Sequence, residues 1–151
     1  MNQLTELYKY IKQLAEDDNF VNAVYRMKDI EQKKEVITPV VGIDILSGGF
    51  TNGQTIIFNV EIAAFSIRDI NKEIKTDTFW GNDNELDNQN TCISILNRIW
   101  LVMYRDFEEN NITSSDNPTF EIGSFEGTKL LDGARMTFDI EMPNTLISLC
   151  Q

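Results

Sequence analysis

The chain has 151 residues, 42% of them apolar and 25% charged, which is the composition of a globular protein able to bury a core without metal or disulfide staples. It has no histidine and only two cysteines, which excludes Ser-His-Asp and Cys-His catalysis, His-ligated zinc or haem, and a disulfide framework. With 24 acidic against 13 basic residues the net charge is −11, which argues against non-specific binding of nucleic-acid phosphates.

The start, Met1-Asn2-Gln3-Leu4-Thr5-Glu6, lacks a basic region followed by an apolar run, so no signal peptide is expected. No stretch approaches the roughly 18 apolar residues of a membrane span, and a soluble protein made in a cytoplasm is expected. Leu4, Leu7, Tyr8, Ile11 and Leu14 instead predict an amphipathic helix, with Asn2 as N-cap and Asp17-Asp18-Asn19 as its end. Phe20–Tyr25 reads as a short strand, and residues 28–38 as a polar connection.

Pro39 opens a predicted strand over Val40–Leu46, and Ser47–Gly53 reads as a hairpin turn. A long strand follows from about Thr55 to Asp69. Its apolar parity changes at Ala63-Ala64, and a β-bulge is expected there. Residues 70–86 form a long loop carrying Phe79 and Trp80. A second helix is predicted from near Asp87 to about Glu108, with a stripe of Cys92, Leu96, Ile99, Met103 and Phe107. Thr119–Ile122 and Ser124–Glu126 read as a strand broken by Gly123 and Gly127. Asp132-Gly133 reads as a turn, and Ala134–Met142 as a half-buried strand closed by Pro143-Asn144. The expected fold is a single α+β domain over residues 1–151. It is an antiparallel sheet of two hairpins with two helices packed on one face, in the order helix–hairpin–helix–hairpin.

Candidate chemistry is sparse. Ser47–Gly53 lacks the lysine and following helix of a phosphate-binding loop. Asp139 and Glu141 share a strand face with Arg135, opposite the apolar one, and read as a solvated or interface face. Asp83, Glu85 and Asp87 lack the spacing, central glycine and final glutamate of a calcium loop. Cys92 lies on the apolar stripe and Cys150 near the chain end, neither beside an activating base. No catalytic residue, metal ligand or cofactor is assigned. Phe50 at a hairpin tip, Phe79 and Trp80 in the long loop, and the broadly apolar second helix together point to an oligomer, with those three aromatics as subunit-interface candidates.

Several features coincide along the chain. Pro39 begins a buried strand after an N-terminal helix and Val24-Tyr25. The long second strand leads into the 70–86 loop. An apolar helix ends in Tyr104-Arg105-Asp106, and Ala134–Met142 runs into Pro143-Asn144. In this order and pattern, over nearly its whole length, the chain resembles the tail-terminator and tail-completion proteins of tailed bacteriophages. In outline it is also similar to the neck ring proteins of short-tailed phages. The resemblance implies a non-enzymatic virion protein without cofactor, assembled in the host cytoplasm. It would form a hexameric or dodecameric ring between tail, connector or portal proteins and let DNA pass. A lumen that repels phosphate would draw on Asp44, Glu61, Asp139 and Glu141, with no specific nucleic-acid binding and no membrane. The alternative is an acidic DNA-mimic inhibitor that binds a host factor.

Overall fold

The computed structural model describes residues 3–32, 37–68, 79, 84–110, 112–114, 117–126 and 130–144. Helix α1 (Gln3–Asp17) buries Leu7, Ile11 and Ala15. Strand β1 (Ala23–Arg26) leads directly into helix α2 (Met27–Gln32). Strands β2 (Val40–Thr51) and β3 (Thr55–Ile67) follow as one long hairpin. Helix α3 (Glu85–Glu109) buries Cys92, Leu96, Ile99, Met103 and Phe107, the predicted stripe, together with Ile95. Strands β4 (Thr113–Ser114), β5 (Thr119–Glu126) and β6 (Leu130–Pro143) complete the chain.

The strands form one six-stranded sheet in the order β1-β2-β3-β6, with β4 and β5 paired end to end along the far edge of β6. The helix–hairpin–helix–hairpin expectation is therefore corrected. The order is α1-β1-α2-β2-β3-α3-β4-β5-β6, and the sheet is mixed, because β1 pairs parallel to β2 through the α2 crossover. The helices are not confined to one face either. α1 and α3 pack against one face, with Val41, Ile43, Val60, Ile62, Met136, Phe138 and Ile140. α2 covers one end of the other face, where Met27 and Ile30 meet Val40, Ala63, Phe65 and Leu131. β1 overlaps the short strand expected at Phe20–Tyr25, but elements as short as α2 and β4 contain too few residues for a period to register, and pairing between distant strands leaves no local mark.

The two-sided cover explains the parity change in β3. Glu61 through Phe65 are all buried, with alternate side chains entering the two clusters, so no bulge is needed at Ala63-Ala64. Both residues keep regular register, with Ala63 opposite Gly42 and Ala64 opposite Val41. The irregularity lies across the hairpin, between Ile45 and Ser47, where Leu46 is the extra residue. Likewise Ser47–Thr51 belong to β2. The turn is confined to Asn52–Gln54: the Gln54 amide donates to the Thr51 carbonyl, and Asn52 (φ 49°) and Gly53 (φ 70°) have the positive angles of a type I′ turn. Asp132 and Gly133 lie inside β6. A Cβ on Gly133 would collide with the Ala64 carbonyl oxygen, so the glycine is there for close strand approach and not for a turn.

Alternation along β6 is as expected: Ala134, Met136, Phe138 and Ile140 are buried, while Thr137 and Asp139 are exposed. Phe138 packs edge-on to Trp100 of α3, ring centroids 5.3 Å apart. Phe138→Ala is expected to cost about 3–5 kcal/mol in urea unfolding. Asp139→Ala, at an exposed position, is expected to cost less than about 1 kcal/mol. The reverse ranking would mean that the faces of β6 are assigned the wrong way round.

Candidate functional site

The strand register puts Asp44, Glu61, Asp139 and Glu141 on the sheet face opposite α1 and α3. Their surroundings differ. Glu61 is buried and lies 3.3 Å from Arg135 Nη1. Asp44 is half-buried. Its Oδ1 accepts from the Tyr8 hydroxyl at 3.1 Å and lies 3.7 Å from Arg26 Nη2. The Asp139 carboxylate accepts from Asn59 Nδ2 at 2.9 Å, and Glu141 from Thr55 Oγ1 at 2.8 Å. Glu61 and Asp44 thus each have a cation close by, and Asp139 and Glu141 each accept from a neutral donor across the strand.

Phe50 lies on the opposite face of the sheet from these acids. Phe50 is 72% exposed on the β2–β3 arm, on the side of the sheet that carries the helices. Leu46, the bulged residue on the same arm, is 56% exposed. Phe79 is 80% exposed. Trp80 lies outside the described residues, as do Asp83 and Cys150.

One polar centre went unnoticed in the sequence. Asp132 is fully buried beneath the start of α3. Its carboxylate accepts from Arg68 Nη2 at 2.6 Å, Arg68 Nε at 3.0 Å, Ser124 Oγ at 2.7 Å and Asn88 Nδ2 at 3.3 Å. Asn88 Nδ2 also donates to the Ile67 carbonyl, and Arg68 lies 3.3 Å from Glu85. The cluster thus joins the end of β3, the start of α3, β5 and β6. Burial alone would raise the Asp132 carboxyl, but the bonds from Arg68, Ser124 and Asn88 outweigh it and hold the group below the usual aspartate range. Burial, aided by the Asp132 charge, pushes the Cys92 thiol up to about 12, so at neutral pH it stays a thiol. A second lock ties α1 to α3. Asp18 accepts from Arg98 Nε at 2.6 Å, and Phe20 lies under the same guanidinium, 4.9 Å from its ring centroid. The Asp18 carboxyl is also held low, because Arg98 and the Phe20 amide outweigh the effect of burial.

These centres bind elements to one another. Among the described residues no group of histidine, cysteine or acidic side chains could hold a metal ion, and no helix is long and apolar enough to cross a membrane. A cleft of about 270 Å³ between α1, α3 and the end of β6 is walled mainly by Leu7, Phe107, Ile112 and Met142. Gln3 Oε1 lies buried there without a hydrogen-bond partner. A larger cleft, about 350 Å³, runs between α1 and β1. No family model matches the chain, and no curated protein matches it.

Removing one member of a buried, hydrogen-bonded pair leaves the other charge poorly compensated. Asp132→Ala is therefore expected to lose about 3–5 kcal/mol of stability. Because the folded-state value of Asp132 is lowered, its contribution is full above the ordinary aspartate value of about 3.9 and is lost as pH falls through the lowered one. Urea midpoints measured from neutral to acid pH should fall more steeply for the parent chain than for Asp132→Asn. Parallel profiles would contradict the linkage.

Proposed function

We propose that this chain is a structural virion subunit that forms a ring with copies of itself in the neck or at the head-proximal end of a phage tail. There the ring joins tail to head and lets DNA pass. The observation that carries this reading is the placement of large apolar side chains that a single subunit leaves in water. Phe50 and Leu46 project from a long hairpin arm, and Phe79 stands exposed elsewhere. Exposed aromatics of this kind favour burial in an interface. A ring is a head-to-tail assembly and needs two different surfaces on each subunit, so apolar groups at separate places suit it better than one patch.

The charge suits the same role. Residues 1–38 carry a net −1 and the remainder −10, so the acidity belongs to the body of the fold. A lumen faced by acids such as Asp139 and Glu141 would release a sliding duplex, where a lysine-lined wall would bind it with steeply salt-dependent affinity. Repulsion between like-charged subunits is screened beyond about 8–10 Å at physiological salt, which leaves apolar contacts to hold the ring.

Virions that retain tails and necks should contain this chain in a hexameric or dodecameric copy number, measurable by quantitative mass spectrometry, and negative-stain images of the concentrated protein should show rings. A chain absent from such virions overturns the proposal. So does a monomer or dimer that captures a host protein, the behaviour of an acidic inhibitor.

A further inference from the structure

We infer that successive copies of this chain join edge to edge, with β5 of one subunit pairing against β1 of the next and extending the six-stranded sheet. The inference rests on the ring reading above for closure of the assembly and names the junction from which the ring would be built.

Among the described residues β1 pairs with β2 alone and β5 with β6 alone, so each has one row of backbone N–H and C=O groups facing outward. Natural edge strands are commonly blunted by shortness, charged side chains, proline or a bulge, and β1, four residues ending in Arg26, is short in this sense. β5 contains no basic residue and no proline, and its register with β6 runs unbroken from Thr119 to Glu126. By contrast, the stretch of β2 beyond β1 is blunted. It carries the Leu46 bulge, and the Ile45 amide is already bonded to the Tyr8 hydroxyl at 3.0 Å. The strand senses also fit. β1 and β2 run together, and each later step from β2 through β3 and β6 to β5 reverses direction. A subunit added without turning the sheet over therefore meets β1 with an antiparallel β5, the better-paired arrangement.

The side chains match on one face. Phe120 and Ile122 stand opposite Met136 and Ala134, so they project on the helix side of the sheet, 49% and 53% exposed. The 350 Å³ cleft along the β1 edge has Tyr8, Val24 and Ile43 of that same side in its walls, together with Tyr25 and Asp29 from the α2 side. Continuing the sheet carries Phe120 and Ile122 of one copy toward the cleft of the next, an apolar anchor entering an apolar recess. Charge agrees. The cleft is lined by Lys9, Lys12 and Arg26 against Asp29, a net positive wall presented to a neighbouring copy of net charge −11. The two surfaces differ, so the contact is heterologous and propagates until the rotation closes it.

The test uses the full chain. Sedimentation of the double variant Phe120→Asp/Ile122→Asp, with thermal melts showing that it folds, should reveal at least tenfold weaker self-association than the parent. Lys9→Glu/Lys12→Glu should weaken it in the same direction. Independently, Arg26→Cys/Ile122→Cys in a Cys150→Ser background, treated with a short bismaleimide linker, should give a covalent ladder ending at the ring's copy number. A folded Phe120→Asp/Ile122→Asp variant that assembles like the parent, or parent-sized rings that yield no ladder, would overturn this junction and leave ring formation standing. A parent chain that stays monomeric at every concentration and is missing from tailed virions would overturn the ring reading itself, and this junction with it.

Discussion

The β3–β6 ladder is the constraint on which the rest of the fold depends. It runs without a break from Thr55 opposite Pro143 to Ile67 opposite Leu131. Its tightest point is Gly133, where the backbone of β6 approaches the Ala64 carbonyl too closely for any side chain. Register at that point fixes both faces together. Phe138 and Ile140 turn toward α3, while Arg135 and Asp139 turn away from it. A slip of one residue would exchange the two sets and leave Asp132 without its partners.

The same ladder sets where the buried charge can sit. With Asp132 opposite Ser66, Arg68 just beyond β3 can bond its carboxylate through two nitrogens. α3 then begins where Asn88 can bond both that carboxylate and the Ile67 carbonyl. Burying an aspartate is costly unless its oxygens are satisfied, and here Arg68, Ser124 and Asn88 all serve it. Such a cluster is weak as a source of stability relative to apolar packing, but it discriminates strongly among arrangements, since any other start for α3 leaves a buried charge underbonded.

A sheet buried on both faces at its centre and open at its edges has its free surface at the margins. The arm of β2, the edge of β1 and the edge of β5 carry the bonding groups and apolar side chains that the helices leave uncovered. The interior is occupied with holding the register. The acids on the face opposite α1 and α3 are divided in the same way. Glu61, near the centre, is buried beside Arg135, and Asp139, toward the hairpin end, remains at the surface.

Sequence periodicity by itself determined α1, α3, the β2–β3 pair and the inward face of β6, because each is long enough for its apolar spacing to repeat several times. The absence of histidine likewise excludes histidine-dependent catalysis and ligation from composition alone. The tertiary structure decided what depends on distant partners. It placed β1 parallel to β2, put α2 on the opposite face, and made Asp132-Gly133 a strand interior instead of a turn. It also turned the parity change at Ala63-Ala64 into burial on two sides instead of a bulge. It brought Asp132 to Arg68, 64 residues earlier, and among the described residues left β5 paired on one side only. A glycine needed for close strand approach and a glycine needed for a turn look alike along the chain. Only the position of the Ala64 carbonyl separates them, because that contact is made by a strand about seventy residues away in sequence.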